Sequence, residues 1–267
     1  MLTDRVAVIT GAGRGIGRAC AELLVREGAQ VVINDVDPEP AAEARAACEE
    51  IQPGSAAIHV GSVADPKATD ALMQTAADHF GKLDILINNA GITRDKVVHA
   101  MSDEWWDLVI NVNLRGTFNC IRSAARYLRD PAKVELERDG RVAYHRKIVN
   151  FYSTAAIRGN PGQVNYTAAK MGNVGITRTI AAEWGRFCIN VNAVAPGVTN
   201  TRLTQPKQHG SDIGIPPEQL EATIKRIPFG RPAEPLDIAR VVLFFVSPLS
   251  DFVTGQEINV SGGMQIP

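Results

Sequence analysis

Short apolar runs alternate with longer stretches of helical periodicity along all 267 residues. Residues 6–10 (ValAlaValIleThr) carry no charge, as suits a strand covered on both faces. Comparable runs at 30–34, 56–60, 84–88, 146–151, 189–194 and 256–260 are predicted strands. Between them, apolar residues recur at helical spacing over 15–27, 39–51, 66–80, 103–129, 165–185 and 234–246. This alternation predicts one α/β domain: a single doubly wound parallel sheet with helices on both faces and right-handed crossovers. Ligands of such sheets bind at the carboxyl ends of the strands.

The length fits one domain with a sizeable core, and no repeat or low-complexity segment interrupts it. A net charge of −1 gives no reason to expect nucleic acid or an anionic membrane as partner. No apolar stretch is long enough to span a bilayer. The first five residues lead directly into a strand, which leaves no room for a signal peptide. Cys20, Cys48, Cys120 and Cys188 are scattered without metal spacing and read as reduced packing residues of a cytoplasmic protein. The pattern calls for no metal.

The first strand runs into Gly11, Gly13, Gly15 and Gly17, with Arg14 and Ile16 between them, and then into a helix. A strand, glycine turn and helix let a pyrophosphate approach the backbone, where a helix N-terminus stabilises its charge. The spacing departs from the G-x-G-x-x-G fingerprint, because Ile16 holds its last glycine position. Asp35 closes the second strand about 20 residues later, where a carboxylate can accept from ribose hydroxyls. Such a carboxylate favours NAD, because a 2′-phosphate would face a like charge. Arg14 argues the other way and keeps NADP open.

Ser153, Tyr166 and Lys170 form the second constellation. Tyrosine and lysine four apart share a helical face, so their polar ends can converge. A neighbouring ammonium would lower the phenol pKa from near 10 toward the working range of an acid–base catalyst. The serine hydroxyl would hold a carbonyl or alcohol oxygen beside the phenol.

These motifs, in this order, resemble the short-chain dehydrogenase/reductase family over essentially the whole chain. The similarity rests on ThrGlyAlaGlyArgGlyIleGly (10–17), AsnAsnAlaGly (88–91), Asn113, the Ser153/Tyr166/Lys170 set and ProGlyValThrAsnThr (196–201). The wording around them is similar to the 3-oxoacyl-[acyl-carrier-protein] reductases. The resemblance implies a Rossmann fold, a nicotinamide dinucleotide, and hydride exchange between a secondary alcohol and a ketone, either a 3-oxoacyl thioester or a small or cyclic alcohol. It implies Tyr166 as general acid or base, Lys170 on the nicotinamide ribose, Ser153 orienting substrate, and Asn113 positioning a water next to Lys170. It also implies that Gly11, Arg14, Gly15, Ile16, Gly17, Asp35, Ser62, Val63, Asn89, Ala90, Gly91, Pro196, Gly197, Val198 and Thr201 surround the cofactor, and that the protein is a homotetramer. The tetramer is further suggested by Trp105, Trp106, Leu108, Ile110, Leu114 and Phe118, more apolar surface than one helix face needs. A catalytically silent dinucleotide-binding sensor on the same fold is the other function class, since fold alone does not prove activity.

The chain departs from the family pattern in three places. Ser62 stands where an acidic residue often contacts adenine, with Asp65 three residues later. Arg129 to Lys147 is longer than in compact members and rich in both charges, which reads as a solvated surface loop or else a partner or substrate-access element. Arg186 and Arg146 lie near places where relatives hold acidic acyl-carrier protein, but Phe187 and Tyr144 interrupt that pattern. Residues 202–228 read as a substrate lid with a short helix at 218–225, and His209 within it as exposed. Gln163, Phe151 and Tyr152 are candidates to line the pocket, and Phe151 is equally a candidate for the core.

Overall fold

Seven parallel strands run in the order β3-β2-β1-β4-β5-β6-β7. They are β1 (Val6–Thr10), β2 (Gln30–Asp35), β3 (Ala56–Val60), β4 (Ile85–Asn88), β5 (Arg146–Phe151), β6 (Ile189–Pro196) and β7 (Glu257–Val260). The structure, a computed structural model, describes residues 1–206 and 214–265; His209 and the middle of the predicted lid lie outside them. The connecting helices are α1 (Gly15–Arg26), α2 (Pro38–Ile51), α3 (Pro66–Phe80), α4 (Asp103–Ile110), α5 (Gly116–Asp139), α6 (Thr154–Arg158), α7 (Val164–Trp184), α8 (Pro217–Ile224) and α9 (Pro235–Val246).

Strand alternation divides the core. Ala7, Ile9, Val31 and Ile33 pack with α1, α2 and α9 on one face, whereas Val6, Val8, Val32 and Leu86 pack with α3, α5 and α7 on the other. Each fully buried Val, Ile or Leu among them contributes about 1.5–3 kcal/mol. The strand order reverses beside β1, whose neighbours are β2 and β4. That switch point opens a crevice at the carboxyl ends of the strands.

Local chemistry sets the helix limits. Asp65 accepts from the Lys67 N–H at 2.9 Å and caps α3, and Ser102 accepts from the Trp105 N–H at 3.2 Å and caps α4. Capping α3 also explains why Asp65 is spent on structure rather than on adenine. Residues 103–139 do not form one regular helix. Asn111–Arg115 is a π turn between α4 and α5, an irregularity frequent at functional sites.

The segment read as a solvated loop, Arg129 to Lys147, is mostly helix. Helix α5 continues through Pro131 to Asp139 and stops at Gly140, whose φ of 69° is left-handed. Its last turns are held from outside. Glu135 accepts from Arg146 Nη2 at 2.6 Å and from the Ala143 N–H at 3.1 Å. Tyr144 folds under the Arg5 guanidinium, 3.4 Å from the ring centroid, and donates its hydroxyl to buried Asp84. Arg5, Asp84 and Arg146 all stand at the amino ends of their strands. The segment therefore lies opposite the ligand rim and cannot gate substrate access. Arg146 is 4% exposed, so it is not a surface cation for a carrier protein.

Candidate active site

The glycine turn opens the crevice. Gly11 and Gly15 adopt φ of 61° and 56°, where a side chain would be strained. A Cβ on Gly17 would stand 2.4 Å from the Gly11 carbonyl oxygen, so α1 starts directly against the turn. Asn89 completes it: its Nδ2 donates to the carbonyls of Thr10 and Gly11, both at 2.9 Å. Thr10 Oγ1 in turn accepts from the Asn89 and Ala90 N–H groups at 3.1 and 3.0 Å. The ends of β1 and β4 are thus tied across the switch point.

A cleft of about 500 Å³ runs along this rim, lined by Gly11, Arg14, Gly15, Ile16, Asp35, Ser62, Val63, Asn89, Ala90, Gly91 and Thr201. Thr201 faces Gly15 across it, 3.3 Å from where a Cβ would sit. Gly17 is buried behind the turn. The carboxylate of Asp35 accepts from the Gly13 N–H at 3.0 Å and the Asp37 N–H at 3.2 Å, which fixes it at the end of β2. Arg14 does not face it as a free cation, for its Nη1 is paired with Asp37 at 2.7 Å. Ser62 Oγ accepts from the Ala64 N–H at 3.2 Å. An open anion-binding turn followed by a fixed carboxylate fits a dinucleotide.

The second cavity, about 300 Å³, continues from the cleft and holds Ser153, Tyr166, Lys170, Pro196, Gly197, Val198 and Thr201 in its walls. Ser153 lies two residues beyond β5 and is the N-cap of α6, accepting from the Ala155 N–H at 3.2 Å. Tyr166 and Lys170 project from the first turns of α7, and the Tyr166 phenol shares the cavity wall with Ser153. Pro196 and Gly197 close β6: the Pro196 carbonyl accepts from Thr154 at 3.3 Å, and the Gly197 N–H reaches Val260 at 2.9 Å.

The electrostatics differ from the sequence expectation. Burial raises the Tyr166 pKa above 10, the nearby Ser153 side chain opposes this, and the Asp95 charge adds to it. The Lys170 ammonium, 5.8 Å from the ring centroid, does not reverse the shift. Lys170 is itself pushed down to about 8 because it is buried. Its Nζ donates to the Phe151 carbonyl at 3.1 Å.

Asn113, in the π turn, engages Ile92 with both ends of its carboxamide, accepting from the N–H and donating to the carbonyl, both at 2.8 Å. Phe151 and Tyr152 line the cavity although both are buried: the Phe151 carbonyl accepts from Lys170, and the Tyr152 hydroxyl donates to Asn259 at 2.9 Å. Gln163 does line the cavity, donating to Asp95 at 2.7 Å. Sequence reasoning passed over Asp95, Arg158 and Asn173. The first two show no motif, but Asn173 was signalled as a polar residue three after Lys170 on the same helical face.

Comparison with known proteins agrees with this geometry. A family model described as enoyl-(acyl carrier protein) reductase matches residues 11–265. The chain is 38% identical over 265 residues to the 3-oxoacyl-[acyl-carrier-protein] reductase of Thermotoga maritima, covering 99% of each. It is also 38% identical to the (2S)-[(R)-hydroxy(phenyl)methyl]succinyl-CoA dehydrogenase subunit BbsD of Thauera aromatica, covering 99% of this chain and 98% of that one. The crystal structure of levodione reductase superposes with a TM-score of 0.88 at 32% identity, covering 98% of both chains. With its glycine turn, switch-point crevice and Ser153/Tyr166/Lys170 cavity, the chain belongs to the short-chain dehydrogenase/reductase family of nicotinamide-dependent oxidoreductases.

Proposed function

We propose that the protein interconverts a secondary alcohol and a ketone with NAD as preferred cofactor, the proton passing through Tyr166. One observation carries this reading: Ser153, Tyr166 and Lys170 converge on one cavity that opens into the dinucleotide cleft. The bound dinucleotide would supply or accept the hydride. In reduction, Tyr166 gives its phenolic proton to the carbonyl oxygen; in oxidation it takes the alcohol proton. Ser153 holds that oxygen beside the phenol. Lys170 is the cation within reach of both the phenol and a ribose, and its charge works against the burial that holds the phenol protonated.

The NAD preference rests on the fixed Asp35 carboxylate and on the capture of Arg14 by Asp37. For the substrate we favour a 3-oxoacyl or related thioester, because two relatives act on thioesters by name; a small cyclic ketone is the second reading, after levodione reductase. The burial of Arg146 takes away one of two cations a carrier protein would need. A panel of 3-oxoacyl thioesters and cyclic ketones, run with both cofactors in both directions, tests the assignment. Turnover of none of these substrates would refute it.

We also propose a cytoplasmic homotetramer. Trp106, Leu108 and Phe118 on α4 and α5 are 37%, 38% and 49% exposed, and Ile110, Leu114 and Phe118 line one apolar groove. Edge strand β7 lies near fully exposed Phe252. Two isologous contacts close a dihedral tetramer. The four free thiols suit a reducing compartment, and no helix among the described residues is long and apolar enough to cross a membrane. Light scattering that gives a monomer at micromolar concentration would overturn the tetramer.

A further inference from the structure

The Lys170 ammonium is not the only donor on the Phe151 carbonyl. Asn173, one turn along α7, donates its Nδ2 to the same oxygen at 3.1 Å and to the Asn113 carbonyl at 3.1 Å. This fixes the carboxamide, because a flip would set its oxygen against two carbonyl oxygens. Asn173 Oδ1 is then left without a partner, on a side chain 1% exposed. A buried acceptor without a donor costs about 1–3 kcal/mol. The neighbouring ammonium has donors to spare, since among the described residues its one acceptor is the Phe151 carbonyl and it can donate three times.

The placement of Asn173 is itself enforced. Thr177 Oγ1 donates to the Asn173 carbonyl at 2.7 Å and accepts from Asn150 at 2.9 Å. Asn150 in turn accepts from Asn88 at 2.8 Å. This polar line crosses the core from β4 and β5 to α7, where an apolar side chain would be the simpler filling.

We propose that Asn173 is a positioning residue for Lys170. Its carboxamide oxygen takes an ammonium N–H, directly or through one buried water, while its N–H groups hold the two carbonyls that frame the amine. The inference rests on Lys170 and Tyr166 carrying the chemistry proposed above. Among the described residues, the titratable group facing Lys170 is Tyr166 on its own helix, and the charge of Asp95 reaches that phenol. The π turn and β5 present the Asn113 and Phe151 carbonyls, and the chain after β4 presents Gly91.

The test compares Asn173→Val, Asn173→Thr and Asn173→Asp with the wild type, by the pH profile of kcat and by thermal melting. Val and Thr share a shape, so a packing role moves them equally, whereas a polar role separates them. Loss of the acceptor disfavours the charged amine, and a carboxylate favours it. We expect Val to lose about tenfold or more in kcat while Thr keeps roughly a third. The alkaline limb should move down by about half a pH unit or more in Val and up in Asp. Coincident profiles for Val and Thr, or melting changes with unmoved limbs, would overturn the proposal. If Val does not fold, Asp and Thr decide: limbs displaced in opposite senses support it and superposed limbs refute it. A wild type inactive on the whole panel would instead refute the proposed function.

Discussion

Replacing Lys170 with methionine should stabilise the protein while destroying its activity. The side chain is 4% exposed and its pKa falls from the ordinary 10.5 to about 8 through burial. That difference corresponds to about 3 kcal/mol spent on keeping the amine charged at neutral pH. The sign follows from proton counts. Between about pH 8 and 10.5 the unfolded lysine is protonated and the folded one is not, so stability rises with pH across that window. The penalty is whole below pH 8 and gone above 10.5. Methionine fills a similar volume without charge, and the Phe151 carbonyl keeps Asn173 as donor. The Asn173 oxygen loses the ammonium and offsets about 1 kcal/mol of the gain. At pH 7 the melting temperature should rise by about 3 °C, an amount typical for about 2 kcal/mol in a chain this long. The gain should shrink toward zero as pH approaches 10.5. Turnover should be lost and cofactor affinity should fall, by titration of nicotinamide binding. A variant that melts lower than wild type at pH 7, or whose gain does not depend on pH, would refute the reasoning.

Asp35→Asn should keep the hydrogen bond from Gly13 yet remove the charge, shifting the NADP-to-NAD ratio of kcat/KM toward NADP by roughly two orders of magnitude, since a phosphate charge about 5 Å away costs about 3 kcal/mol; an unchanged ratio separates Asp35 from cofactor choice. Asp37→Asn should free Arg14 and shift the same ratio by less, because the exposed pair it breaks is worth about 0–1 kcal/mol. Glu135→Ala should cost about 3 kcal/mol by leaving buried Arg146 unpaired, measured by denaturant unfolding. Arg146 holds the Glu135 carboxyl below its ordinary 4.5, so that contribution is present above pH 4.5 and lost as pH falls further. The melting curves of wild type and Glu135→Ala should therefore converge in acid.

The sheet was legible because its central strands are short runs buried on both faces, and all seven lie within two residues of their expected limits. The glycine turn and the Ser153/Tyr166/Lys170 set were legible because their spacing is their geometry. What escaped the sequence depends on distant contacts. Extra length and mixed charge argued for a loop after Arg129, but Arg146 and Ala143 hold Glu135 and with it the end of α5. A lysine four residues from a tyrosine suggested a lowered phenol pKa; burial of both groups, invisible in the spacing, pushes the phenol up and the amine down. Arg14 looked free to meet a phosphate until Asp37 was found beside it.

The central claim is that Tyr166 moves the proton while the glycine turn separately holds the dinucleotide. Tyr166→Phe tests both halves at once, by steady-state turnover on the best panel substrate and by cofactor titration of the same preparation. The account predicts turnover nearly abolished with cofactor affinity largely intact. Retention of more than about a tenth of wild-type turnover would contradict it, because no other group in the cavity stands where the phenol does.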